Sequence, residues 1–261
     1  MRHIYLSPHL DDAVLSCGGA IRRHSSAGAT VLVVSVFSGE FGGGSLSPFA
    51  RRLHTTWGDP PRPMALRRAE DAAALALLDA AGHYLGFLDA IYRTDPAGSW
   101  IYSDPAALMG AIHLADPVAQ DGAAELMRRL ADLLSPEQEQ TLYAPLAVGG
   151  HVDHRLVNAA GRRLQRMGYR VAFYEDYPYA ERPGARETAV AAAGGASWSS
   201  QVIPLEPGDV TAKAAALGYY RSQLGDLFGC AEAMPSRVWA FAVSCSPDAA
   251  LAERLWIPSG V

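Results

Sequence analysis

The amino-acid sequence predicts an α/β protein: a mostly parallel β-sheet with helices on both faces, folded as a single domain over residues 1–261 with long loops at the strand ends. Three observations carry this. Short apolar runs rich in β-branched residues recur along the chain, and TVLVVSVF at 30–37 is nearly continuous, as a strand covered on both faces requires. Between the runs lie segments with apolar residues at helical spacing, and strands alternating with helices favour parallel pairing through crossovers. Neither an internal repeat nor a clear linker divides the chain.

The elements follow in order. Residues 3–6 (HIYL) form a first strand, 13–27 a helix that stops near Gly28, and 30–37 the second strand. From 38 to 63 the chain turns to Gly, Ser and Pro (GEFGGGSLSP, GDPPRP), too long and irregular for a plain connection, and reads as a flap over a site. Residues 64–81 are the clearest helix, 83–87 a third strand, 89–119 an irregular stretch and 120–134 a further helix. Strands at 141–145, 169–175, 199–205 and 238–243 then alternate with helices at 153–167 and 209–224, with a loop at 176–198.

With 49% hydrophobic and 19% charged residues, the chain has the composition of a globular protein with a sizeable core. A net charge of -5 does not supply the basic surface that phosphate contacts need, so no nucleic-acid partner is expected. Three cysteines, Cys17, Cys230 and Cys245, are odd in number and widely spaced, and read as structural thiols rather than a disulfide framework or a metal knuckle. No apolar core of signal-peptide length opens the chain, and no window approaches the roughly 18 apolar residues of a membrane span. A cytoplasmic protein without a membrane partner is expected; homo-oligomer formation stays open.

Chemistry concentrates in two turns. In such sheets ligands bind at the carboxyl ends of strands, and both PHLDD (8–12) and GGHVDH (149–154) occupy such ends. Helix capping accounts for one acidic residue after a strand, but not for His9, Asp11 and Asp12 together. Two adjacent carboxylates repel, and a cation offsets that repulsion best. If both turns lie at one edge of the sheet, His9, Asp12 and His154 converge on a metal ion. Two imidazoles and a carboxylate suit Zn2+ with a fourth position open; the same set suits Fe2+. Zinc lowers the pKa of bound water to roughly 7, Asp11 is the neighbouring carboxylate able to take its proton, and His151 is placed to polarise a carbonyl, stabilise an oxyanion or protonate a leaving amine.

SPHLDDAVLSCGG (7–19) resembles the (A/S)HPDDxxxxxGG opening of the PIG-L, or LmbE-like, family of zinc-dependent N-acetylglucosaminyl deacetylases, and GGHVDHRLV (149–157) resembles its HPDH or HxDH motif. Further likeness lies in VFSGE (36–40), in the helix bearing Arg67 and Glu70, in LGFLD (85–89), and in the late helix bearing Lys213, Tyr220, Ser222 and Gln223. The resemblance implies a Rossmann-like fold and hydrolysis of an acyl group from an amino sugar. It also implies His9, Asp12 and His154 as metal ligands, Asp11 as general base and His151 as electrophilic partner. Leu10 and Val152 replace prolines of the motifs, and Gly149 stands where some relatives carry a tyrosine.

The expected partner is a small N-acyl amino sugar or glycoconjugate. An iron(II) oxygenase shares the His-x-Asp…His ligand set, but its ligands usually come from a β jelly roll. A non-catalytic metal- or sugar-binding protein would not need Asp11 and His151. Glycines 18 and 19, early in the first helix, call for close packing there, because glycine costs a helix about 1 kcal/mol relative to alanine. Aromatics of the loops, among them Phe41, Tyr92, Trp100 and Tyr179, are able to stack on sugar rings, and Arg51, Arg67, Arg68 and Arg93 to meet an acidic group of the substrate.

Overall fold

The structure, a computed structural model, describes residues 1–134, 139–194, 197–248 and 250–258. β1 (Arg2–Ser7) leads through α1 (Asp12–Ser26) to β2 (Thr30–Ser35), and α2 (Pro48–Thr56) and α3 (Pro63–Leu77) precede β3 (Ala81–Tyr84). The short α4 (Pro105–Leu108) and α5 (Gly122–Leu133) precede β4 (Gln140–Pro145), which leads through α6 (Val152–Arg166) to β5 (Val171–Tyr174). After α7 (Ala185–Ala193) and β6 (Trp198–Pro204) come α8 (Pro207–Leu217), α9 (Arg221–Phe228), α10 (Met234–Ser244) and β7 (Ala252–Pro258).

The seven strands form one sheet in the order β3-β2-β1-β4-β5-β7-β6. β1 to β5 are parallel, and β7 runs antiparallel to both its neighbours. The chain leaves β1 towards β2 on one side and returns to β4 on the other, so the order reverses between β1 and β4. A crevice opens at the carboxyl ends of strands at such a switch point. α1 packs with α8, which also meets α3 and α10, while α6 lies on β4 and β5 with α5 beside it. Helices thus cover the sheet as the sequence predicts.

Several boundaries differ from expectation. Residues 238–243 (VWAFAV) are not a strand but part of α10, whose buried Met234, Val238, Phe241 and Ala242 follow a helical period. A short apolar run reads equally as strand or helix, and Pro235 in the first turn settles it. The last strand is instead β7, between β5 and β6. The 209–224 helix breaks near Gly218 into α8 and α9. The 38–63 flap contains α2, capped where Ser47 Oγ accepts the Ala50 N–H at 3.0 Å, and the 176–198 loop contains α7; residues 195 and 196 of that loop lie outside those described.

α1 explains its two glycines. It kinks at Cys17 (φ -130°, ψ 15°), and beyond the kink the N–H groups of Gly19 and Ala20 donate to the Glu253 carboxylate of β7 at 3.0 and 2.8 Å. Lys213 Nζ, also buried, pairs with Glu253 Oε1 at 2.7 Å. A Cβ at Gly18 would lie 2.8 Å from Lys213 Cγ, and one at Gly19 would lie 2.6 Å from Leu205 Cδ1. Close approach of α8 and β7 is what the glycines allow.

A second apolar cluster sits apart from the main core and is built from the flap and the 89–119 stretch, with Phe49, Trp57, Met64, Ile91, Tyr92 and Tyr102 at its centre. Leu10 and Val152, the residues standing in place of proline, are buried within it. Both chemical turns are therefore pinned to the loop cluster by their apolar members. Among the described residues no helix is long and apolar enough to cross a membrane.

Candidate metal centre and active site

The first turn leaves β1 at Ser7, whose Oγ accepts the Ala13 N–H at 2.9 Å and so folds the chain back onto the start of α1. Asp11 is the N-cap residue, yet its side chain makes no capping bond. Its carboxylate is instead held by Arg67 of α3, with Nη2 donating to Oδ1 at 3.3 Å. Asp12 Oδ2 accepts from the His9 backbone N–H at 2.8 Å and lies 3.0 Å from His9 Nδ1.

The second turn, after β4, brings His151, Asp153 and His154 to the same crevice. His154 Nε2 lies 3.2 Å from Asp12 Oδ2, so one carboxylate oxygen is shared by two imidazoles from the two turns. Donor atoms of His9, Asp12 and His154 all fall within 4.8 Å of one another, and all three residues are buried. His9, His151 and Asp153 make a second such set. That set is already engaged: Asp153 Oδ1 pairs with Arg93, its Oδ2 accepts the Ala90 N–H at 3.0 Å and meets His9 Nε2 at 3.1 Å, and His151 Nδ1 accepts the Asp153 N–H at 3.2 Å.

The first set fits a divalent cation on the chemistry of its donors. Asp176, at the end of β5, pairs with His154 Nδ1 at 2.6 Å and accepts the Val148 N–H at 2.8 Å. A proton on Nδ1 directed at Asp176 leaves Nε2 with its lone pair towards Asp12, and two lone-pair atoms 3.2 Å apart need a proton or a cation between them. Burial opposes charging His154, but Asp12 and Asp176 outweigh it and raise its pKa to about 10. Burial likewise opposes a charge on His9, and Asp89, Asp12 and Asp153 overcome it, raising its pKa well above the usual value. The field of these carboxylates favours positive charge, which a cation would supply while displacing protons.

The other two groups differ. Burial raises the Asp11 pKa, with Arg67 acting against it, so this carboxyl is the more ready of the pair to take up a proton. Burial, helped by the charge of His9, lowers the His151 pKa to about 3. A neutral His151 whose Nδ1 accepts the Asp153 N–H carries its proton on Nε2, as a hydrogen-bond donor.

All five residues singled out in the sequence thus gather in one crevice. Other expectations shift. Arg67 and Arg93 are buried and engaged by Asp11 and by Asp153 with Asp116, Arg68 donates to the Ser38 carbonyl at 2.6 Å, and Arg51 alone of the four stays exposed. Phe41 stacks on Tyr92 in the flap with ring centroids 5.1 Å apart. Asp176 and Asp89 were not singled out: Asp89 is a lone aspartate after a strand, Asp176 follows Glu175 with no histidine nearby in sequence, and only the DDxxxxxGG and HxDH groupings mark a site in the sequence.

An α/β sheet with a buried His/Asp/His cluster at its switch point, beside a carboxylate spared from capping, is the arrangement of a candidate metal-dependent enzyme. The chain belongs to the family described as PIG-L: GlcNAc-PI de-N-acetylase, whose profile matches residues 4–164. It is 31% identical over 191 residues to the 2'-N-acetylparomamine deacetylase of Niallia circulans, covering 67% of this chain and 66% of that protein. It is 33% identical over 184 residues to the enzyme of the same name from Streptomyces fradiae, covering 69% of this chain and 58% of that protein. The chain therefore spans less than two thirds of the length of either relative. The crystal structure of the zinc-inhibited form of a teicoplanin deacetylase superposes with a TM-score of 0.82 at 28% identity, covering 99% of both chains.

Proposed function

We propose that this protein is a metal-dependent amide hydrolase that removes an acetyl or other acyl group from an N-acyl amino sugar or glycoconjugate, with zinc as the cation. The observation that carries the reading is the pairing of a buried His9/Asp12/His154 cluster with an adjacent Asp11 that does no capping and is oriented by Arg67. Family membership and the deacetylase names of the relatives support the same chemistry. The substrate classes in those names, an aminoglycoside and a glycopeptide, support an acylated amino sugar on a larger scaffold.

His9, Asp12 and His154 would hold the cation, and Asp176 would fix the ring of His154. When bound, a divalent cation supplies Lewis acidity and makes a water nucleophilic at neutral pH. Asp11 takes the proton of the attacking water, and Arg67 keeps that carboxylate aimed into the crevice. His151 directs its Nε2–H at the reacting amide, towards the carbonyl oxygen or the departing nitrogen. Asp153, locked by Arg93 and the Ala90 N–H, holds the rings of His9 and His151 in place.

The test is acetate release across a panel of N-acetylated amino sugars: N-acetylglucosaminyl conjugates, 2'-N-acetylparomamine and an acylated glycopeptide. Stoichiometric acetate and free amine from at least one member is the expected result. No release from any, or oxygen uptake with Fe2+ in its place, would overturn the proposal.

A further inference from the structure

A cavity of about 540 Å³ opens between α6 and α7, bounded at one end by the turn that precedes His151, and none of the five motif residues lines it. Its walls carry three arginines, Arg155 and Arg162 from α6 and Arg182 from the loop before α7, and no carboxylate. The chain as a whole has 27 acidic against 22 basic residues, so this concentration of positive charge runs against its composition. Among the described residues no acidic side chain pairs with any of the three. Like charges gathered without a counter-charge repel, and a bound anion offsets that repulsion.

Each guanidinium is nevertheless held in place. Arg155 Nε donates to the Gly150 carbonyl at 2.8 Å. Gly150, with φ of +78°, leaves room for that side chain, since a Cβ there would fall 2.8 Å from Arg155 Nη2. Arg162 Nη1 donates to the Ala193 carbonyl at the end of α7, and its Cζ lies 5.7 Å over the Trp198 ring. Arg182 Cζ lies 5.7 Å over the ring of Tyr179, which itself stands edge-on to His154 with centroids 5.9 Å apart. Arg155 and Arg162 each spend one N–H on a carbonyl, and the rest of each planar fork stays open to a ligand. Positions 155 and 162 lie two turns apart on one face of α6, roughly 10 Å along its axis. The groove therefore has two positive ends, and between them α7 presents the neutral Ala185, Thr188, Ala189 and Ala192.

We propose that the groove between α6 and α7 is a second ligand site, outside the metal crevice, for a small molecule that carries an anionic group, phosphate or carboxylate, at each of two ends about 10 Å apart on a neutral body. The inference rests on the groove alone and not on the hydrolase reading. Both anions match the arginine fork two bonds at a time, and one anion is too short to engage both ends, so affinity comes from linking two. Such a ligand is either a free dianion or the acidic groups of a scaffold that also carries the amide.

The experiment is calorimetric titration of the full chain at low salt with alkane-α,ω-bisphosphates of increasing length and with the matching alkyl monophosphates, on zinc-loaded and on chelator-stripped protein. Affinity should peak at the length that spans the arginines and exceed that of the monophosphate at least about 10-fold, with or without metal. Arg162→Gln should bring the best bisphosphate to within about 2-fold of its monophosphate, and Arg182→Gln, which breaks no hydrogen bond among the described residues, should weaken it about 10-fold. No binding to wild type, an affinity that does not change with length, unaltered binding in both variants, or binding lost on stripping the metal would each overturn the site. In the acetate-release assay the best bisphosphate then separates the two sources. A rise in KM for a neutral N-acetyl amino sugar assigns the groove to acidic groups of the substrate's scaffold, and an unchanged KM assigns it to a free dianion. Bisphosphate binding without hydrolysis of any substrate leaves the site standing and fails the hydrolase reading alone.

Discussion

Asp11 and Asp71 are buried carboxyls that both feel the Arg67 guanidinium, yet the protein uses them differently. Asp11 faces the crevice; Asp11→Asn should keep its metal, measured by elemental analysis of the purified protein, and lose about 10²- to 10⁴-fold in turnover. Full activity in that variant would contradict its role as base. Asp71 faces α8 and α9, accepts the Tyr220 hydroxyl at 2.7 Å, and is pushed by burial up to about 7. The folded protein then holds a proton that the unfolded chain releases near pH 3.9, so stability is lost as pH rises from about 4 to about 7 and is level above. Asp71→Asn removes that dependence. Its gain in melting temperature over wild type should grow between pH 4 and pH 7, and a gain already complete at pH 4 would count against the assignment. Asp176 acts on the site by holding His154 and, through the Val148 N–H, the turn that carries it; Asp176→Ala should weaken metal affinity roughly 10- to 100-fold in a competition titration, with activity recovered at excess metal.

At the scale of elements, the kink of α1 depends on one carboxylate. Glu253 receives two α1 N–H groups and the Lys213 ammonium, all buried. Glu253→Ala leaves that ammonium unpaired, and denaturant unfolding should show a loss of about 3–5 kcal/mol. Apart from α2 and α4, hidden in the two irregular stretches, strand and helix positions up to β5 were legible because apolar period and Gly or Pro stops agree there. Beyond α9 they were not: VWAFAV carries no period long enough to separate strand from helix, and β7 (AERLWIP) sets two adjacent charged residues before an apolar run, with its own Glu253 turned inward to α1. The two motif turns were legible as a candidate metal cluster because adjacent carboxylates close to paired histidines after two strands favour a cation between them. Asp176, Arg93 and Tyr179 were not, since each reaches the crevice from a distant segment through tertiary packing alone.

At the scale of the whole molecule, the fold supplies position and the side chains supply chemistry. The order reversal between β1 and β4 places two sequence-distant turns side by side, and the separate apolar cluster holding Leu10 and Val152 ties both to the loops around the crevice. In the proposed hydrolysis this junction holds one divalent cation that the reaction needs. The most direct measurement is acetate release by protein stripped with a chelator and then titrated with Zn2+ or Fe2+. Activity should disappear on stripping and return as one cation binds per chain, while His154→Ala should neither bind that cation tightly nor recover. Undiminished acetate release from fully stripped protein would contradict it.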